Sequence, residues 1–436
     1  MPTASYPGQP PLAEKDRRSC GRAIEPIEEK NRILSLDALR GFALLGILAV
    51  NIQSFAMVSS DLWSPTATGD AKPVNFSIWI LTHILADAKF MAIFSMLFGA
   101  GIVLMTQRLE ARGVSSAAIH YRRMGVLILF GIAHSYLLWS GDILVAYGLC
   151  GSFAYLCRRL SPARLLALAS LLIVCGAVLF VVYAWQPIGL IRNVVAVSRE
   201  SLGINPWLSP TAEIAAYRGS WLAQMGPRTQ SSLESEIFRF IFLTFWRVSG
   251  LMLAGMALMK LGFLNGSRNA SVYWRAVSIG FCVGIPLAVF GTCMHSAMGW
   301  NSNWGILSDY GINYWASLFV CFGWVGALML LTRTAALNRF ILALVALGRT
   351  ALTNYLLQTI VCTTIFYGHG FGLFGRVDRL GQSAIVAAIW IFQLIASSLW
   401  LRRFQFGPME WLWRSLTYMR REPFLRTTTH PLYVAD

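Results

Sequence analysis

Leu34-Ser35-Leu36-Asp37-Ala38-Leu39-Arg40-Gly41-Phe42-Ala43-Leu44-Leu45-Gly46-Ile47-Leu48-Ala49-Val50-Asn51 opens an apolar run that continues to Val58. The run is long enough to cross a bilayer as a helix. It also carries an acid, a base and an amide. Polar groups at membrane depth are costly, which marks a helix facing protein or water rather than lipid. We read it as an inner helix of a bundle. Arg40, Leu44, Ile47 and Asn51 share one stripe at helical spacing, with Asn51 buried. Asp37 and Arg40 are placed to pair across one turn. Alternatively, Arg40 lines the mouth of an internal path and binds a phosphate-bearing ligand, for which a guanidinium is better shaped than an ammonium.

The whole chain extends this pattern. Its 436 residues are 56% hydrophobic and 13% charged, about half the charge of an average soluble protein. Several further apolar runs are long enough to span, so the fold class is all-α, a polytopic membrane helix bundle. Reading runs and breaks gives about ten spans, at 34–58, 89–107, 123–139, 142–157, 164–185, 237–259, 273–296, 311–332, 350–368 and 381–401. A shorter helix at 76–88 leads into the second, and the 338–347 run either extends the ninth or lies at the surface. The chain divides into a disordered cytoplasmic tail (1–31), a five-helix half (32–185), an outer loop or lid (186–236), a second five-helix half (237–401) and an interfacial helix with a basic tail (402–436). Glycines recurring within spans, such as Gly99, Gly250, Gly255, Gly280 and Gly284, suit close helix packing.

The net charge of +16 would suggest nucleic acid in a soluble protein. Here it marks cytoplasmic loops and contact with anionic lipid, since no zinc-finger spacing, helix-turn-helix context or aromatic-and-basic platform accompanies it. With both termini inside, Arg108, Arg112, Arg122, Arg123, Arg158, Arg159, Lys260, Arg268, Arg333 and Arg339 fall in cytoplasmic connections. This predicts a multi-pass membrane protein with both termini cytoplasmic. The expected partners are membrane lipids and either an envelope acceptor or a small solute, with no nucleic acid. Of the eight cysteines, seven lie in apolar segments and none forms CxxC, so they read as small buried hydrophobes without disulfides.

Several constellations could carry chemistry. His134 lies within a hydrophobic helix and can serve as a general base or acyl carrier; Asp142 follows a Ser-Gly turn. The pair suggests catalysis. Eight residues separate the two across a hairpin, however, and at about 1.5 Å of rise per residue His134 sits about 9 Å deeper, which argues against direct contact and leaves Asp142 as an N-cap. His83 and Asp87 share a helical face and form a proton relay, a weak metal site or, as the favoured reading, a solvated salt-bridged patch. Two ligands do not make a metal site, so no metal is assigned. His120, His295, His369 and His430 carry little signal. Arg349, Asn354 and Gln358 form a polar ladder that must face a partner helix or a cavity. Glu410 and Arg414 can pair at i, i+4 on an interfacial helix anchored by Trp411 and Trp413. No Walker loop, dinucleotide fingerprint, serine elbow or HExxH motif is present.

Five of these stretches, SLDALRGFALLGILAVN at 35–51, FSMLFGAGI at 94–102, GIAHSYLLWSGDILVAYGLCG at 131–151, GRTALTNYLLQT at 348–359 and FGPMEWLWR at 406–414, resemble the YeiB-like bacterial membrane proteins, the domain of unknown function 418. More distantly, the opening motif and ten-helix core are similar to transmembrane acyltransferases of the acyltransferase-3 and heparan glucosaminide acetyltransferase type. The family resemblance implies a bacterial inner-membrane protein, and the distant one implies acyl transfer from a cytoplasmic acyl-CoA co-substrate to a cell-envelope acceptor, with no permanently bound cofactor. The latter enzyme's histidine precedes a Trp-Asn-Gly that is missing here, so no catalytic residue carries over. The expected centre is therefore His134 with Asp142. Asp37, Arg40, Asn51, His83, Asp87, Arg349, Asn354 and Gln358 bind substrate or line its path, Arg40 and Arg349 orienting a phosphate-bearing donor. The competing expectation is a small-solute permease using the same residues.

Overall fold

A computed structural model describes residues 33–66, 72–185, 189–204, 208–300 and 303–426. The expected tail at 1–31 lies outside them. The described chain is helical, and the long helices follow apolar runs that close their own backbone hydrogen bonds. In order, the helices are α1 (Leu34–Ala56), α2 (Ser59–Trp63), α3 (Pro73–Leu85), α4 (Lys89–Ala111), α5 (Ser116–Leu137), α6 (Leu144–Leu156), α7 (Pro162–Trp185), α8 (Gly189–Ser201), α9 (Pro210–Tyr217) and α10 (Met225–Leu233). A π-helical stretch, Glu234–Thr244, leads into α11 (Phe245–Lys260). Then come α12 (Ala270–Ala297), α13 (Asn303–Leu331), α14 (Asn338–Arg349), α15 (Ala351–Phe366), α16 (Arg379–Arg403) and α17 (Pro408–Tyr418).

Among the described residues, seven helical segments are long and apolar enough to span a bilayer, and α14 with α15 forms an eighth bent by 82°. The apolar runs of the sequence predict ten; the third and fourth of them form the hairpin α5–α6, in which α6, Leu144–Leu156, is a shorter apolar helix. The chain is a multi-pass membrane protein. The most apolar windows of α7, α12 and α16 are each only 28% buried against protein. Leu171, Val178, Ile279, Phe290, Ile391 and Ile395 on them face outward, as a lipid-facing perimeter requires. Helix α1 is the opposite case, with Leu39, Ala43, Leu44 and Leu48 fully enclosed. It is the inner helix its mixed polarity predicts.

Glycines set two close approaches. A Cβ on Gly99 would collide with the Met252 carbonyl, and one on Gly255 with that of Met96, so α4 and α11 pack backbone to backbone. The break between α3 and α4 places Ala88 in the left-handed region at φ 63°. An unpaired carbonyl in a bilayer costs several kcal/mol, and two side chains repair this break. Lys89 Nζ donates to the His83 carbonyl at 2.7 Å, and Trp324 Nε1 donates to that of Leu85 at 3.0 Å.

The bend before α15 is repaired by α17. Glu410 accepts the N–H groups of Leu352 at 2.6 Å and Thr353 at 3.1 Å, capping α15. The expected Glu410–Arg414 pair is therefore not formed; Arg414 meets Glu422 at 3.3 Å instead. Trp413 does not simply anchor in headgroups, because its Nε1 donates to the Arg123 carbonyl and the Arg123 guanidinium lies over its ring at 4.2 Å.

Candidate functional site: the His134 centre

Helix α5 stops at Leu137, with the N–H groups of Leu138 and Trp139 both returning to the His134 carbonyl. The chain then turns through Ser140-Gly141 without helical rise, and Asp142 folds back beside the imidazole. Its Oδ1 lies 2.8 Å from His134 Nδ1, and its Oδ2 accepts the Val145 N–H at 2.9 Å. The expectation that the two residues stand apart is thus wrong, because it assumed helix where the chain reverses. Asp142 stands one residue before the N-cap position, Ile143, and its carboxylate both accepts an amide of the first turn of α6 and holds the ring. Gly131, one turn before His134, makes the closure fit. A Cβ there would sit 2.5 Å from Val145 N and 2.9 Å from Asp142 Oδ2.

The other ring nitrogen, Nε2, lies 2.9 Å from Thr359 Oγ1 on α15. Sequence reasoning missed Thr359, although it ends the GRTALTNYLLQT stretch. A threonine in a membrane helix ordinarily returns its hydroxyl to its own backbone, and Thr359 keeps a weak 3.5 Å contact of that kind with Tyr355 O. A neutral ring can satisfy both contacts. Nδ1–H donates to Asp142, and the Thr359 hydroxyl donates to an unprotonated Nε2. The His134 and Asp142 side chains are 1% and 2% exposed, and the rings of Trp139 and Tyr355 flank the imidazole.

The segment expected as a lid roofs this centre through its described part. Arg228, fully buried on α10, donates to the Leu137 carbonyl at 2.9 Å, as does Trp221 Nε1, and Ser232 donates to Ser135 O. These bonds satisfy carbonyls that the end of α5 leaves open. Glu213 ties the roof to α2, accepting the Ser59 N–H and hydroxyl. Burial pushes the Glu213 carboxyl above its usual range, and the Ser59 hydrogen bonds offset part of that rise.

The other anticipated residues fall into three places. Asp37 and Arg40 pair at 2.6 Å near the start of α1. Asn354 and Gln358 face α16. Asn354 Nδ2 donates to Ser397 Oγ at 2.9 Å, Gln358 Nε2 to Gln393 Oε1 at 3.0 Å, and Gln393 returns to the Asn354 carbonyl. Arg349 reaches the Gln405 carbonyl at 3.4 Å. The ladder thus meets a partner helix. Asn51 is half-buried rather than enclosed. Near it, Gln53, Thr82, Arg379, Gln382 and Ser383 contribute the polar lining of a cleft of about 180 Å³ between α1, α3 and α16.

His83 and Asp87 depart furthest from expectation. They do not form a solvated patch: His83 is 3% exposed, with Asp87 at 3.2 Å on one nitrogen and Asp309 at 3.1 Å on the other. His295, which looked uninformative near a helix end, completes the group through Asp309 at 3.1 Å. Asp309 gave no signal because it lies just before the 311–332 run, beside Ser308 and Tyr310 in what reads as a polar connection. Among the described residues, no cluster of His, Cys, Asp and Glu is arranged to hold a metal.

Comparison with known proteins gives the same picture of relatedness. The DUF418 family model, a protein family of unknown function, matches residues 258–420. The uncharacterized protein YeiB of Escherichia coli K12 is 31% identical over 413 residues, covering 91% of this chain and 99% of the relative. The chain belongs to the YeiB-like DUF418 family. A second relative, the uncharacterized protein YxaH of Bacillus subtilis 168, is 29% identical over 412 residues, covering 93% of this chain and 99% of YxaH. The similarity to YeiB and YxaH runs almost end to end, so it takes in both the His134 centre and the His83 group of this DUF418 protein.

Proposed function

We propose that this protein transfers an acyl group in the bacterial inner membrane, from a cytoplasmic acyl-CoA to a hydroxyl on a cell-envelope acceptor. The observation that supports this reading most is the His134 imidazole held between a carboxylate at Nδ1 and a hydroxyl at Nε2 in a buried site. That is the arrangement of a general base with its orienting acid. In the proposed step an acceptor hydroxyl takes the place of the Thr359 hydroxyl and gives its proton to Nε2. Its oxygen attacks the thioester carbonyl, the carbon–sulfur bond breaks, and the departing thiolate takes the proton back from the imidazolium. Asp142 keeps the Nδ1 proton throughout and stabilises the transient charge. Arg40 and Arg349, at the opposite end of the bundle, would hold the donor's phosphates, and the predicted Lys and Arg bias puts that end in the cytoplasm.

The test is thiol release from acyl-CoA by the full-length protein in lipid nanodiscs supplied with a bacterial envelope extract. His134→Asn is expected to lower the rate on the order of 10²- to 10⁴-fold. A wild-type protein that releases no thiol from acyl donors of several chain lengths, or a His134→Asn variant at the wild-type rate, overturns the reading. The second reading, a small-solute permease, draws on the polar cleft at Gln53, Thr82 and Gln382. Solute uptake by proteoliposomes without thiol release would favour it.

A further inference from the structure

A second buried group stands apart from His134, on α3, α12 and α13 and the turn before α4. Its hydrogen bonds form one line. Trp300 O faces His295 Nε2 at 2.9 Å, and His295 Nδ1 faces Asp309 Oδ2 at 3.1 Å. Asp309 Oδ1 then faces His83 Nε2 at 3.1 Å, and His83 Nδ1 faces Asp87 Oδ2 at 3.2 Å. Beyond Asp87, Asn313 Nδ2 donates to it at 3.3 Å, and Lys89 donates to Asn313. All four ring nitrogens therefore face atoms that only accept, unless a carboxyl is protonated. Two neutral imidazoles bring two hydrogens to these four contacts. Two more protons are needed to satisfy the line.

Charge pulls the other way. The groups facing the line are Asp87, Asp309 and the cations Lys89 and Arg247, with Tyr310 beside His83 and Arg379 acting on Tyr310. Arg247 is itself held by Tyr314 O and Ser317 Oγ. Two carboxylates against two cations are neutral when both rings are uncharged. Each added proton completes a hydrogen bond and adds a buried positive charge. An unmade buried bond and an unbalanced buried charge are both costly, so neither extreme of protonation satisfies the site. Aromatic rings close its flanks: Trp79 stacks on His83 at 5.1 Å, and Trp300 lies against His295 at 4.9 Å. His83, His295 and Asp309 are sealed, whereas the Asp87 side chain is 27% exposed. Asp87 is thus the least enclosed member of the line.

We propose that His83, Asp309 and His295 form a buried proton-binding site, loaded and unloaded through Asp87, that ties α3 to the α12–α13 hairpin. Its ligand is a proton. The site does not depend on the acyl-transfer reading, because it shares no residue with the His134 centre.

The test uses full-length protein with ¹⁵N-labelled histidine in lipid bilayers and solid-state NMR, which separates neutral imidazole from imidazolium nitrogen. Spectra of His83→Gln and His295→Gln assign the two rings. At least one ring is expected to convert reversibly between the two forms between about pH 5 and about pH 9. Asp309→Asn should displace that midpoint by about one pH unit or more, and Asp87→Asn is the second variant should Asp309→Asn fail to fold. Wild-type rings that hold one form across the whole range overturn the proposal. A midpoint unmoved by the carboxylate substitution that folds overturns it as well.

Discussion

The two buried histidine groups sit toward the same end of the bundle, the end reached by Ala56 of α1. They use the same residue types to opposite effect. His134 meets one acceptor, Asp142, and one hydroxyl that can donate, Thr359. A neutral ring satisfies both without any change in charge. His83 and His295 meet carboxylates and a carbonyl only, so their bonds are complete only when extra protons arrive. The first arrangement keeps a basic nitrogen presented to a hydroxyl; the second retains protons. The partner's ability to donate, not burial or aromatic packing, separates a base from a proton store.

The largest expected effect tests this contrast through stability. Removing Asp309 leaves both His83 and His295 without their shared partner and leaves Lys89 and Arg247 less balanced. Asp309→Ala should therefore destabilise by about 3–5 kcal/mol, as when one member of a buried ion pair is deleted. The matching deletion at the other centre, Thr359→Val, strands only one neutral acceptor and should cost about 1–3 kcal/mol. Unfolding of the two variants in nanodiscs, measured side by side, gives the order. If Thr359→Val proves the more damaging, His134 is not the self-satisfied ring described above.

These two centres also differ in how far sequence alone reveals them. The spans were legible because the bilayer imposes a length and a composition that few other structures share, and α1 was legible as inner because Asp37, Arg40 and Asn51 in an apolar run call for neighbours other than lipid. His134 was legible as an imidazole within an apolar run. Its contact with Asp142 was not, because that depends on the helix ending at Leu137, and boundaries are weakly encoded. Thr359 comes from α15, 225 residues away, and pairings at that separation leave no local pattern. The His83 group has the same character: His83 stood out only by its spacing to Asp87, while His295 on α12 and Asp309 on α13 look incidental within their own helices. Glu410 illustrates the converse error. Its i, i+4 spacing to Arg414 is a valid local pattern, yet the unpaired amides at the start of α15 compete more strongly for the carboxylate.

The closure at Gly131 offers a smaller break. Gly131→Ala adds a methyl against Val145 N and Asp142 Oδ2, forcing α5 and α6 apart at the level of the imidazole. The expected cost is about 1–3 kcal/mol, in line with overpacked cores. The displaced bond should be His134–Asp142, so ¹⁵N resonances of His134 should move while those of His83 and His295 stay. Equal shifts at all three rings would mean that the two groups are mechanically coupled and cannot be treated separately.

The smallest effect concerns the roof over the His134 centre. Glu213 joins α9 to α2, and burial raises its carboxyl affinity for protons above the ordinary glutamate value. An acid whose folded-state pKa is raised binds its proton more tightly in the native state. Its contribution to stability is thus greatest below the unfolded value and declines as pH rises through the folded one. Glu213→Gln keeps an oxygen for the Ser59 N–H and removes the ionisation. Because Glu213 is partly exposed, the gain at neutral pH should be no more than about 0.5 kcal/mol. The difference from wild type should shrink on acidification, as Glu213 takes up its proton. A loss of stability at neutral pH instead would mean that the charge on Glu213 strengthens its bonds to Ser59 by more than its burial costs, and that the roof is held on electrostatically.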